Sequence, residues 1–177
     1  MPRLPNTPTP QVLPGRLADW RRALSRHYKR LGHASRQSRF MVDLPDKALQ
    51  IVADRARPDI VLGISAEGRT VGVLELFKGR DGHAEIGISV EDTFQGKGYG
   101  KALFLDGLAA ASKLGVRTAD LYFASENHGI RSLVHSAGGQ TQQCGAECEA
   151  HIDIGHFTDG LVDTHDPGIP RPTRLHH

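Results

Sequence analysis

The chain has 177 residues, of which 38% are hydrophobic and 24% are charged, as is typical of one soluble globular domain. No run of about 18 apolar residues occurs, so the sequence predicts no membrane-spanning helix and no membrane partner. The two cysteines, Cys144 and Cys148, are too few for a disulfide framework and favour a reducing, cytoplasmic location.

The net charge is only +2, but basic residues are concentrated before residue 40. This cluster raises the local potential and favours an anionic cofactor or an acidic acceptor, although a solvated helix face is the simpler interpretation. A nucleic-acid partner is not expected, because no recognition motif accompanies the cluster. Its members, with Asp19 as the acid among them, are Arg16, Arg21, Arg22, Arg26, Lys29, Arg30, Arg36 and Arg39.

The N-terminal third is predicted to hold an arm and two helices. Residues 1–15 are rich in proline and lack a helical period, which indicates a disordered arm. Apolar residues then recur at helical spacing from Leu17, and Gly32 is placed to end that helix. Asp43 as N-cap and Pro45 in the first turn indicate a second helix. Its apolar stripe is predicted as Leu44, Ala48, Ile51 and Val52.

The middle of the chain changes to strand periodicity. Short apolar or alternating runs separated by turn residues predict three strands, which form an antiparallel meander because the turns are short. The predicted strands are Ile60–Ser65, Thr70–Phe77 and His83–Val90.

The rest of the chain returns to mixed periodicity. A helix follows a glycine-rich turn and ends at Gly115, and Thr118–Phe123 reads as the next strand. Asn127 is placed to cap another helix. A final hairpin is predicted from Gln140–Cys144 and Cys148–Ile154.

These elements together predict an α+β domain. The strand, helix and strand between Glu85 and Phe123 form a βαβ unit, whose crossover requires its two strands to be parallel. We therefore expect a mixed, mostly antiparallel central sheet with helices on both faces. One domain is predicted over residues 16–156, followed by an irregular tail over residues 157–177.

The glycine-rich turn carries the strongest chemical signal. It lies directly after a strand and before a helix, where backbone N–H groups and the helix dipole favour a phosphate or pyrophosphate. A Walker A loop is excluded, because only three residues separate Gly96 from Gly100 and Ala102 follows Lys101. A dinucleotide-binding G-x-G-x-x-G spacing is also absent. The pattern that fits is Q-x-x-G-x-G, with Gln95, Gly98 and Gly100.

In this motif and its surroundings the sequence resembles the GNAT N-acetyltransferase superfamily. Ala84–Val116 resembles the family's fourth strand, pyrophosphate loop and following helix, and Glu126–Gly139 its next motif. His27–Met41 resembles the corresponding segment of the subgroup fused to acyl-CoA synthetase-like proteins. The resemblance implies a GNAT-like fold and acetyl-CoA as co-substrate. The implied cofactor-binding residues are Ile88, Val90, Gln95, Gly96, Lys97, Gly98, Tyr99, Gly100, Lys101 and Asn127.

The candidate bases are two strand carboxylates. A free amine with a pKa near 10 must lose a proton before it can attack a thioester. Glu85 is the first candidate, since it lies on the polar face of the strand that leads into the glycine turn, where the resembling family often has a glutamate. Glu75 is the second, because apolar neighbours on its strand face would desolvate it. For both, pairing with a basic neighbour is the structural alternative.

The general acid is left open by the sequence. The resembling family usually has Tyr where this chain has Val134, and Phe where it has Gly139. Tyr122, His128 and His135 are the available proton donors, and solvent is a further one.

The expected activity is acetyl transfer to a primary amine of a small molecule, a peptide or a protein lysine. The alternative is a non-catalytic CoA-binding sensor with the same fold. Acetyl-CoA and an amine acceptor are the expected partners, and a homodimer is an assembly to test. Cys144, Cys148 and His151 suggest a metal at first, but a fourth ligand is lacking and no metal is expected.

Overall fold

Seven strands form one mixed sheet in the computed structural model, which describes residues 9–13 and 17–155. The strands are β1 (Gln11–Val12), β2 (Ile60–Ala66), β3 (Arg69–Lys78), β4 (His83–Val90), β5 (Thr118–Ala124), β6 (Gln140–Cys144) and β7 (Glu147–Asp153). The helices are α1 (Leu17–Arg30), α2 (His33–Phe40), α3 (Asp46–Arg55), α4 (Tyr99–Lys113) and α5 (His128–Ser136), with a 3-10 turn at Asp92–Phe94.

The sheet order β1-β2-β3-β4-β5-β7-β6 confirms the predicted fold class. The β2-β3-β4 meander is antiparallel, and β4 and β5 are parallel across the α4 crossover. Asn127 caps α5 as predicted, because its side chain accepts a hydrogen bond from the Ile130 N–H at 3.0 Å.

The helices before β2 differ from the sequence prediction. α2 was not predicted, because none of its residues is buried and it therefore has no apolar period. Pro45, not Asp43, is the N-cap of α3. The residues that α3 buries are Leu49 and Ala53, whereas Ile51 of the predicted stripe is exposed.

Two apolar cores lie on opposite faces of the sheet. α4 and α5 cover the larger one, where Leu74, Phe104 and Leu108 are fully buried. α1 and α3 cover the smaller one, where Leu24 and Leu49 pack against β2 and β3. Residues of β2 and β3 alternate between these cores, whereas β4 contributes only to the larger one, with Ala84, Ile86 and Ile88. No helix in the described ranges has the length and apolarity needed to cross a membrane.

Part of the Pro-rich N-terminal segment pairs with the sheet. Gln11 and Val12 run antiparallel to β2, opposite Gly63 and Leu62. Residues 1–8 and 14–15 of the predicted arm lie outside the described residues, as does the whole of the predicted tail.

Glu91 joins α1 to the end of β4. It is buried, and it accepts hydrogen bonds from Arg30 Nε at 2.6 Å and from Arg69 Nη2 at 3.0 Å. Burial raises the pKa of Glu91, but the nearby His27 and the hydrogen bonds from Arg30 and Arg69 outweigh it and lower the pKa to about 2. Because these cationic donors bind the ionised carboxylate, Glu91 stabilises the fold only while it is ionised.

We predict that Glu91→Gln lowers the free energy of unfolding at pH 7 by ~3 kcal/mol, the value of a pKa shift of this size. Because the folded-state pKa is depressed from 4.5 to about 2, the stabilisation is present above pH 4.5 and is lost as pH falls towards 2. Urea unfolding at several pH values measures this, and the difference between wild type and variant should shrink on acidification. Asp46→Asn, at an exposed ion pair with Arg36, is the control and should cost under about 1 kcal/mol. A pH-independent difference for Glu91→Gln would contradict the prediction.

Candidate active site

A cleft of about 960 Å³ opens where β4 and β5 diverge. The two strands pair at three positions only, from His83↔Thr118 to Glu85↔Asp120. After Glu85, β4 no longer pairs with β5, and residues 86–90 line the cleft on that side. α2, the glycine-rich turn and the start of α5 complete the walls.

The glycine-rich turn forms one end of this cleft. Gly98 is the N-cap of α4 with φ +87°, a left-handed conformation that favours glycine, and no side chain caps this helix. The first N–H groups of α4 are therefore unpaired within the helix, because the first helical bond runs from Ala102 N–H to the Gly98 carbonyl. A Cβ added at Gly98 would meet nothing within 4 Å, so the space beside it is open.

Gln95 fixes the turn against its neighbours. Its Nε2 donates to the Val90 carbonyl and to Ser35 Oγ, both at 3.0 Å. Ser35 also donates to Asp92 at 2.9 Å, so the turn is joined to the start of α2. Gln95 thus has a structural role besides the predicted cofactor-binding one.

The remaining predicted residues of the turn divide into two groups. Gly96, Gly100 and Lys101 line the cleft, together with Ile88 and Val90 of β4. Lys97 and Tyr99 pack on Phe94 instead, with the Lys97 Nζ 5.4 Å from the ring centroid and the two rings 5.7 Å apart.

Asn127 lies on the opposite wall. Besides capping α5, it donates from Nδ2 to Ser38 Oγ at 2.5 Å and so joins α5 to α2. Both residues line the cleft, which makes α2 a wall of the site.

The two candidate bases have different surroundings. Glu85 is exposed and lines both the cleft and a neighbouring pocket of about 400 Å³. Glu75 is buried and accepts hydrogen bonds from the Tyr28 hydroxyl and from Arg39 Nη2, the latter at 2.7 Å. Glu75 lines only the smaller pocket. Its carboxylate is paired with Arg39, which is the structural alternative that the sequence analysis gave for this residue.

Arg39 reaches Glu75 by passing over β4. A Cβ at Gly87 would collide with its guanidinium, so the missing side chain of Gly87 allows this path. Arg39 lines the cleft and the smaller pocket, next to Glu85. Other members of the basic cluster also pair internally, Arg30 with Glu91 and Arg36 with Asp46. Arg30, Arg36 and Arg39 thus each have an acidic partner, and Arg30 also remains exposed.

The candidate acids differ in their relation to the cleft. Tyr122 and His128 line it, whereas His135 is exposed outside it. The Tyr122 hydroxyl donates to Glu149 at 2.8 Å, and this bond, with burial, raises the pKa of Tyr122 to about 12. Transfer of that proton to a thiolate is uphill, because a thiol has an ordinary pKa near 8.5.

At the family's usual Tyr and Phe positions this chain has a buried and a half-buried residue. Val134 is fully buried in the larger core. A Cβ at Gly139 would lie 2.7 Å from both Ile152 and Val134, so this packing excludes a larger side chain there. The core, not the cleft, explains both departures.

The C-terminal hairpin separates the two cysteines. Cys144 is exposed and lies opposite Glu147, whereas Cys148 is buried opposite Gln143. The two cysteines are therefore not directly opposite each other. His151 hydrogen-bonds Asp120 at 2.7 Å, and no metal-binding group of three His, Cys, Asp or Glu occurs in the part of the chain described.

Two features of the site were missed by the sequence analysis. The first is the wall formed by α2, whose residues lack a pattern that predicts burial. The second is His27, which lies fully buried on α1 and contacts Ser89 of the cleft. His27 precedes Tyr28, which is buried in the smaller core, and only long-range packing reveals the contact of His27 with Ser89.

Solved structures with this fold are numerous. The GNAT domain of PAT from S. lividans superposes with a TM-score of 0.65 and 17% identity, over 81% of this chain and 89% of that chain. A Bacillus subtilis acetyltransferase in complex with CoA has a TM-score of 0.57 and 20% identity, over 82% and 98%. The putative acetyltransferase yncA from Salmonella typhimurium, with acetyl-CoA, has a TM-score of 0.62 and 16% identity, over 83% and 94%.

A comparison of the sequence with family models agrees with these structural similarities. No curated protein sequence gives a significant match. The sequence model of the Acetyltransferase (GNAT) family matches residues 18–138, which include the glycine-rich turn, both strands of the cleft and α5. The chain therefore belongs to the Acetyltransferase (GNAT) family.

Proposed function

We propose that this protein transfers the acetyl group of acetyl-CoA to a primary amine by direct attack in a ternary complex. The amine belongs to a small molecule, a peptide or a protein lysine. A cytoplasmic location, a homodimer and the subgroup associated with acyl-CoA synthetase-like proteins remain predictions.

The observation that carries the proposal is the cleft between β4 and β5, with the uncapped start of α4 at one end. Backbone N–H groups at a helix start bind phosphate oxygens, and Lys101 adds positive charge there. Ile88 and Val90 present backbone along the cleft for an extended substrate arm and for the thioester carbonyl. CoA or acetyl-CoA is present in two of the similar structures named above.

Glu85 is the base that we propose for the incoming ammonium group. Its carboxylate is exposed at the junction of the cleft and the smaller pocket, and within the described residues it has no hydrogen-bond partner. An exposed carboxylate can pass the proton to solvent. Glu75 is proposed as a positioning residue, because its bonds to Tyr28 and Arg39 occupy it.

The second candidate function is a CoA-binding sensor without turnover. The buried Val134 at the family's usual Tyr position favours it, since the usual proton donor is missing. Release of CoA thiol from acetyl-CoA, measured with spermidine, lysine amide and a lysine-containing peptide, distinguishes the two functions. Amine-dependent release supports the enzyme, whereas CoA binding without release with any amine supports the sensor.

We predict that Gly100→Val weakens CoA binding strongly while the fold is retained, whereas Gly100→Ala, a residue that the resembling family's motif accepts at this position, leaves it nearly unchanged. Both alanine and valine are favoured over glycine in a helix, so the fold should be retained. The added Cβ would lie 3.8 Å from Leu133 and Val90, without a clash, on the cleft wall, and only valine adds two methyl groups beyond it. Calorimetry with CoA measures the affinity. Ser112→Ala, at the far end of α4, is the control.

Gly98→Val is a less clean test of the same site. Its φ of +87° strains any side chain, so a loss of binding could follow from a distorted turn. Unchanged CoA affinity in the folded Gly100→Val protein would contradict a pyrophosphate site at this end of the cleft.

We predict that Glu85→Gln lowers kcat at neutral pH by roughly 10²–10⁴-fold, the usual effect of losing a positioned base. CoA affinity should change little, and the acidic limb of the pH–rate profile should flatten. Asp120→Asn is the matched control, because Asp120 lies opposite Glu85 on β5 but is hydrogen-bonded by His83 and His151. If Glu85→Gln turned over at nearly the wild-type rate, another group or water would have to be the base.

A further inference from the structure

Behind the β4 wall of the cleft lies a buried histidine that the reaction proposed above does not use. His27 is fully buried on α1, and its Nε2 lies 2.9 Å from Ser89 Oγ. Ser89 lines the cleft, on the β4 face opposite that of Ile88. His27 is thus connected to the cleft through a single hydroxyl.

The other ring nitrogen of His27 faces a carboxylate. His27 Nδ1 lies 3.8 Å from Glu91 Oε1, beyond hydrogen-bond distance, and is a buried atom without a hydrogen-bond partner. An N–H at Nδ1 is attracted by the Glu91 charge, whereas a lone pair there is repelled. This favours the tautomer in which Nδ1 carries the proton and Nε2 accepts from the Ser89 hydroxyl.

We propose that Ser89, His27 and Glu91 form a proton relay that accepts the amine proton during acetyl transfer and returns it to the departing CoA thiolate. The proposal rests on the acetyltransferase function proposed above. It assigns to this chain a source of the thiolate proton in the absence of the family's usual Tyr.

The protons balance as follows. The ammonium group loses its first proton to Glu85 and then to solvent, and the neutral amine nitrogen forms a bond to the thioester carbon. The second proton passes to Ser89 Oγ while the Ser89 hydroxyl proton passes to His27 Nε2. When the carbon–sulfur bond breaks, the same path in reverse delivers this proton to sulfur. The products are the amide, CoA thiol, neutral His27 and one proton in solvent.

The surroundings of His27 suit this role. Burial lowers its pKa, against the raising effect of Glu91, and the positive charges of Arg30 on α1 and Arg39 on α2 lower it further. His27 is therefore neutral at pH 7 and able to accept a proton. Glu91, with its pKa of about 2, remains ionised and stabilises the imidazolium that forms.

An isosteric pair of variants tests the relay. Ser89→Val and Ser89→Thr have the same shape, but only Thr keeps the hydroxyl. We expect Ser89→Val to lower kcat with acetyl-CoA and the active amine by roughly 10²-fold, and Ser89→Thr to stay within a few-fold of wild type. CoA affinity should be equal in both. If either variant fails to fold, Ser89→Ala, which adds no atoms, replaces Ser89→Val against wild type.

The pH dependence has a defined sign. The relay works only while His27 is neutral. The kcat of Ser89→Thr divided by that of Ser89→Val should therefore approach one as pH falls through the lowered pKa of His27. His27→Gln should lose as much rate as Ser89→Val, and the double variant no more than either, because the residues act as one unit. Ser25→Ala, at a buried serine of α1 bonded to Gln50, is the control for packing changes in this helix.

A measurement without acetyl-CoA checks the resting state. In ¹⁵N-histidine NMR at pH 7, the His27 signal, identified by its loss in His27→Gln or its shift in Ser89→Val, should show Nε2 unprotonated and Nδ1 protonated. Protonated Nε2, or equal rates of the Val and Thr variants in an active enzyme, overturns the relay alone. Absence of amine-dependent thiol release in the wild-type protein overturns the acetyltransferase function and the relay together.

Discussion

The site depends on one constraint, which is that β4 and β5 are parallel neighbours with only three paired positions. The crossover through α4 requires the strands to be parallel, and the start of α4 lies where they have already separated. The same divergence therefore opens the cleft, leaves the β4 backbone available to a ligand and places the helix start at the end of the opening. No single one of these features would make a binding site.

Polar contacts hold the helices before β2 against the end of β4. Glu91 is bonded by Arg30 from α1, and Asp92 accepts the Gly32 N–H at 2.8 Å and the Ser35 hydroxyl at 2.9 Å from the start of α2. No residue of α2 is fully buried, so these contacts and the Arg39–Glu75 ion pair position it, together with Phe40, which packs on Tyr28. The position of this wall of the cleft is thus set largely by polar contacts to Glu75, Glu91 and Asp92.

The proposed proton chemistry uses residues in two different environments. Glu85 stands at the exposed junction of two pockets, whereas Ser89, four residues later on the same strand face, leads to buried His27. An exposed carboxylate exchanges protons with solvent, and a buried imidazole keeps a proton within the protein. This difference in solvation is the physical basis for giving the first proton to one group and the second to the other.

The sequence by itself determined the elements from β2 onward, the parallel crossover and the glycine-rich turn. These follow from local periodicity, turn chemistry and the spacing of a short motif, all of which lie within neighbouring residues. Tertiary structure alone decided that α2 is a wall of the cleft, that Lys97 and Tyr99 turn away to Phe94, and that Glu75 is paired with Arg39. It also decided the contact between His27 and Ser89, 62 residues apart. Such contacts depend on packing between distant segments, and a polar residue carries no local signal of the partner that it will meet.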